Sequence, residues 1–276
     1  MRKSNKQKNE TKRSLLQKDL NETPASLNTI GKIHLSLLNS GLLPVTDEAK
    51  ITSLIPKSPI ELSKFPKHLE LLRKYDVLLR AEFQVATKGE SHSMRHGSKP
   101  ANERKNSFKK LVPYDYNRVV LEPLPDIPNS DYINASYIDS MLKPNAYIAT
   151  QGPNETTVVD FWRMVWEQNT YVIVMLTKVF DFIRVMCVQY WPSELHHPEC
   201  YGDLELTLLS EENLANFVIR TVHIKKNGNE REITQLHFTN WPSHTVPFPS
   251  ALLEFRRRVR VYMDQYPDVG PPIVHC

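Results

Sequence analysis

Between Arg118 and Cys276 the chain is cut into short runs rich in β-branched, aromatic and aliphatic residues, and this constrains its fold more than any other feature. The runs cover 118–121, 132–137, 147–150, 172–177, 185–190, 204–209, 217–223, 233–238 and 273–275. Turn-forming residues separate them at 123–130, 143–145, 198–202 and 226–229. Two stretches break the pattern with helical spacing, 158–169 and 251–265. The second carries Leu252, Leu253, Phe255, Val259 and Tyr262 along one stripe. The last run, Ile273-Val274-His275, is almost continuously apolar, as strands covered on both faces are. Strands with interspersed helices predict an α/β fold, a large mixed sheet flanked by helices.

Upstream the character differs. Residues 1–57 are polar and weakly periodic, and the first twenty carry seven Lys/Arg against two Asp/Glu. This predicts a basic, disordered extension, with no apolar core of a signal peptide behind the charges. Lys12-Arg13 before Leu15 and Leu16 gives it the form of a docking segment. From Ser58 onward a second region, 58–276, reads as folded. In it Leu69, Leu72, Tyr75, Leu79 and Phe83 recur at helical spacing and predict one amphipathic helix, followed by a charged loop over 88–104.

A net charge of +4 permits an anionic substrate, but no concentrated basic stripe points to nucleic acid. No run of eighteen apolar residues is present to span a membrane. Three cysteines, Cys187, Cys200 and Cys276, offer no disulfide framework and suit a reducing compartment. Cys187 and Cys200 have no ligand-like spacing with His196 and His197, so no metal and no cofactor is expected.

A series of motifs in fixed order adds a resemblance. Asn102-Glu103-Arg104-Lys105-Asn106-Ser107-Phe108 is followed by Asp131-Tyr132-Ile133-Asn134-Ala135-Ser136-Tyr137-Ile138 and Tyr147-Ile148-Ala149-Thr150-Gln151-Gly152-Pro153. Then come Asp160-Phe161-Trp162-Arg163, Tyr190-Trp191-Pro192, His237-Phe238-Thr239-Asn240-Trp241-Pro242 and Ile273-Val274-His275-Cys276. In these motifs the chain resembles the tyrosine-specific, cysteine-dependent protein phosphatases. The resemblance implies a single phosphatase domain, incomplete at Cys276, in the cytoplasm or on the cytoplasmic side of a receptor-type protein. Its partners would be phosphotyrosine-containing proteins.

The implied chemistry needs a thiolate to attack phosphorus, donors for the equatorial oxygens, an acid for the leaving phenol, and a base to activate water. The resemblance makes Cys276 the nucleophile and His275 the neighbour that tunes it. In the family, a loop after the cysteine lowers the thiol pKa through inward N–H groups and an arginine. Here Cys276 is the last residue, and its own carboxylate would oppose both thiolate and phosphate, so the chain as written is expected to be inactive.

A second departure lies at the acid position. The family reads Trp-Pro-Asp where this chain reads Trp241-Pro242-Ser243, with His244 next. A serine hydroxyl is no acid for a phenolate at neutral pH, and losing a positioned acid costs about 10²–10⁴-fold in rate. Recognition residues differ too. Phe108 keeps the stacking face but not the hydroxyl of the usual tyrosine, and Lys110 cannot accept a hydrogen bond from a substrate backbone. Met186 replaces a frequent lysine, and Trp241 is placed to anchor the acid loop beside the substrate. Two expectations follow: a phosphatase domain weakened at its acid, or a non-catalytic pseudophosphatase that holds phosphotyrosine or a partner.

Overall fold

The computed structural model describes residues 55–56, 58–87, 92–181, 184–242 and 245–276. The basic stretch of the sequence therefore lies almost wholly outside the described residues, and so do Ser243 and His244. The chain separates into two compact units, residues 1–91 and residues 92–276.

In the first unit the expected single helix is two: α1 (Phe65–Lys74) and α2 (Asp76–Thr87). Between them Tyr75 leaves the helical backbone, with φ −128° and ψ 86°. Its ring is buried with Leu78 against Leu71, Leu72 and Val77. Asp76 opens the second helix, where an acidic side chain suits the N-terminal dipole. The helical spacing was read correctly, but spacing alone cannot register a one-residue break.

The second unit is built on a mixed sheet of nine strands. The sheet strands are β1 (Arg118–Val120), β2 (Tyr132–Ile138), β3 (Tyr147–Thr150), β4 (Val172–Met175), β7 (Pro198–Tyr201), β8 (Leu204–Asn213), β9 (Phe217–Lys226), β10 (Asn229–Phe238) and β11 (Ile273–His275). Their order is β1-β2-β3-β11-β4-β10-β9-β8-β7. The central pairs β3/β11, β11/β4 and β4/β10 are parallel, and the outer pairs are antiparallel. A separate two-stranded hairpin pairs β5 (Phe180–Asp181) with β6 (Arg184–Val185).

Helices cover both faces. Ile173 and Met175 of β4 pack with Ile148 and Ile273 under Phe161, Trp162, Met164 and Val165 of α3 (Val158–Glu167). Alternate residues Val172 and Val174 join Phe217, Ile219, Leu236 and Phe238 under Ala251 and Phe255 of α4 (Pro249–Asp264). This period-2 division explains why the central strands are apolar throughout. Each such fully buried side chain contributes roughly 1.5–3 kcal/mol.

Two stretches depart from the sequence expectation. The strand expected over 185–190 ends at Val185. Beyond it the loop is pinned by Met186 N–H to Val179 O (2.9 Å) and Val188 N–H to Pro153 O (3.0 Å). Its apolar residues Cys187, Tyr190 and Trp191 are buried in the core without strand pairing. The turn expected over 198–202 is mostly strand β7, and the chain reverses only near Gly202, at φ +65°. By contrast the 226–229 turn is Asn227-Gly228, with φ +51° and +78°, the left-handed pair that a tight hairpin needs.

Candidate active site

The short strand β11 runs between β3 and β4, which places Cys276 at the carboxyl end of the sheet's parallel centre. Its backbone oxygen accepts the Gly152 N–H at 3.0 Å. A Cβ on Gly152 would stand 3.0 Å from Cys187 Cβ and 3.1 Å from its sulfur, so this glycine lets three backbone segments converge. Cys276 is exposed, yet partial desolvation of its sulfur pushes its thiol pKa up, the opposite of what a nucleophile needs. No donor among the described residues hydrogen-bonds that sulfur. Cys187 is buried and donates to Val188 O (3.2 Å). Burial, then the nearby Cys276, push its thiol up to about 12.

Beside Cys276, His275 is 1% exposed, with Nε2 2.7 Å from the Tyr190 hydroxyl. Burial lowers its pKa to about 3, so the ring is neutral. Its Nδ1 has no hydrogen-bond partner among the described residues.

A framework of amides brings the Phe108 segment to this strand end. Gln151, next to Gly152, accepts the Ser107 N–H at 2.9 Å and donates to Lys105 O at 2.8 Å. Asn106 donates to Gly97 O and Asn102 O, and accepts from Tyr132 Oη (2.7 Å) and Asn134 Nδ2 (3.0 Å). Lys105 Nζ lies 2.8 Å from Asp160, which also meets Arg163 at 2.9 Å, so α3 supports the segment from beneath. Phe108 is thereby presented 49% exposed, with the Arg184 guanidinium 5.6 Å from its ring centroid. Lys110 is exposed and makes no ion pair among the described residues.

Trp241 sits at the foot of the segment containing Ser243. Its ring lies edge-on to Phe238, and its Nε1 donates to Thr245 O at 3.2 Å. This bond ties the two described ends of that segment together. The structure therefore gathers Cys276, His275 and the Phe108 segment around one strand end.

Sequence reasoning missed Arg184 against Phe108, and it missed Gln235 and Arg220 behind His275; Tyr190 and His237 it quoted only as motif members, without their place in this network. The signal of Arg220 and Gln235 was weak, since the same runs also carry Thr221, His223, Thr234 and His237. No group of three or more His, Cys, Asp or Glu among the described residues is placed to hold a metal ion.

Comparison with known proteins gives the same assignment independently. The pattern that defines the family described as protein-tyrosine phosphatase matches residues 102–276, more than half of the chain. Receptor-type tyrosine-protein phosphatase S of Gallus gallus is 42% identical over 251 residues, covering 89% of this chain and 16% of the relative. Receptor-type tyrosine-protein phosphatase F of Danio rerio is 42% identical over 222 residues, covering 79% of this chain and 11% of the relative. The chain thus spans less than a fifth of the length of either relative. With the motifs in order, the sheet built and Cys276 at its centre, the chain belongs to the protein-tyrosine phosphatase family.

Proposed function

We propose that residues 92–276 form the phosphotyrosine-handling part of a phosphatase domain in which Cys276 is the nucleophile position and turnover is slowed by Ser243 at the acid position. The observation that carries this reading is the tether Ser107–Gln151–Gly152–Cys276, which fixes an exposed aromatic ring beside the cysteine strand. Phe108 supplies the face for a phosphotyrosine ring, with Lys110 and Trp241 at the rim. His275, the last residue of β11, directly precedes Cys276 in the chain. The substrates are phosphotyrosine-bearing proteins on the cytoplasmic side. No helix among the described residues is long and apolar enough to cross a membrane. The basic segment before Ser58 serves docking rather than catalysis.

The test uses a chain continued past Cys276 with the family's phosphate-binding loop. One group that acts as acid for the phenol and base for water serves both chemical steps, and Ser243 replaces it. An activated aryl phosphate needs little acid, so its phenol should leave while the second step stalls. A burst of about one phenol per enzyme, with phosphate trapped on Cys276, is expected. Linear release with no phosphocysteine at any time would contradict the reading.

Ser243, Met186 and Lys110 together favour a second reading, a pseudophosphatase that holds phosphotyrosine or a partner without turnover. It requires tighter binding of a phosphotyrosine peptide than of its unphosphorylated form. Equal affinities would exclude phosphotyrosine holding.

A further inference from the structure

Behind His275 runs a buried chain of hydrogen bonds whose direction is fixed at its far end. Arg220 is 7% exposed, and its guanidinium has donors only. Its Nε donates to Glu211 Oε2 at 2.6 Å, and its plane lies 4.2 Å from the Trp191 ring centroid. Its Nη1 stands 3.0 Å from Gln235 Oε1 and 3.3 Å from His237 Nδ1.

Because Arg220 can only donate, Gln235 turns its oxygen to the guanidinium and its NH₂ to Tyr190, whose Oη is 2.6 Å from Nε2. The Tyr190 hydroxyl, having accepted, keeps one proton to give. Two acceptors are near: His275 Nε2 at 2.7 Å and the weakly accepting Met175 sulfur at 3.9 Å. The ring nitrogen wins on distance and on basicity. His275 Nε2 is therefore an acceptor, and in a neutral ring the proton lies on Nδ1. The same guanidinium sets His237 the other way. His237 Nδ1 receives from Arg220, so Nε2 carries the proton and donates to Thr177 O at 2.9 Å.

We propose that Arg220 and Gln235 are positioning residues that hold His275 as its Nδ1–H tautomer, so that the ring keeps a neutral N–H, unpaired among the described residues, on the residue next in sequence to Cys276. A donor there favours the negative charge of a thiolate, whereas a lone pair would oppose it. That catalytic meaning rests on Cys276 as the nucleophile. The tautomer itself does not.

The test is ¹⁵N NMR of the 276-residue chain labelled at histidine, at neutral pH, with His275→Gln to assign the ring. Protonated Nδ1 and bare Nε2 are expected for His275, and the reverse for His237. In Gln235→Glu the new carboxylate accepts from both Arg220 and Tyr190. The hydroxyl then turns away from His275, and the ring proton moves to Nε2, while His237 keeps its own pattern as a check on the fold. A proton on His275 Nε2 in the unaltered chain overturns the proposal, even if the variant fails to fold. So does a proton retained on Nδ1 in a folded Gln235→Glu chain. Linear phenol release with no phosphocysteine from the chain continued past Cys276 would contradict the functional reading and leave this result unchanged.

Discussion

A histidine buried as a neutral ring makes the fold sensitive to acid, and here two such rings lie close to one network. Burial lowers His275 to about 3, and burial followed by the Arg220 charge lowers His237 to about 4, from an ordinary value of 6.5. Below pH 6.5 the unfolded chain therefore binds protons that the folded chain refuses. Stability is fully present above that value and falls as pH drops toward the folded values. Each ring contributes a slope of up to about 1.4 kcal/mol per pH unit. Urea unfolding followed by tryptophan fluorescence should show a midpoint that declines from pH 6.5 to pH 5, and a flat midpoint would contradict both assignments. Asp115 does not confuse this window. The Ser93 hydroxyl and the His96 and Arg95 N–H groups hold its carboxyl down to about 2, so its contribution is lost only below the ordinary 3.8.

At this scale the sequence named Cys276, His275 and Phe108 through their motifs. It could not name Arg220 or Gln235, because their roles depend on which strands lie side by side.

Among the elements, β11 matters most and is among the shortest. Its approach is set by Gly270, whose N–H donates to Asn169 O at 3.0 Å. A Cβ on Gly270 would meet Gln168 O at 1.7 Å, a backbone atom with nowhere to go. Gly270→Ala should therefore displace the entry to β11 and cost roughly 1–3 kcal/mol or more, the range for overfilling a packed site. Thermal unfolding reads the loss directly, and an unchanged Tm would mean that β11 enters differently. Most strands were legible because turn residues bound apolar runs, as Asn227-Gly228 does between β9 and β10. The 186–190 stretch was misread because burial in a pinned loop gives the same apolar pattern as strand burial. Strand β7 was missed because Pro198 and Gly202 bracket it with turn residues.

For the whole molecule, the α/β class and the mixed sheet followed from the alternation of runs and helices. The strand order did not. The last strand of the chain inserts between β3 and β4, more than a hundred residues away in sequence for β3, and no local pattern encodes such a pairing. That insertion gathers the motifs at one sheet end and makes the cysteine position central.

The account therefore rests on Cys276 as nucleophile and Ser243 as the missing acid. The most direct measurement is steady-state turnover of a phosphotyrosine peptide by a chain continued past Cys276 with the family's phosphate-binding loop, before and after Ser243→Asp. The account predicts slow turnover that rises by about 10²–10⁴-fold on the substitution. Robust turnover with Ser243 in place, unchanged by Ser243→Asp, would contradict it.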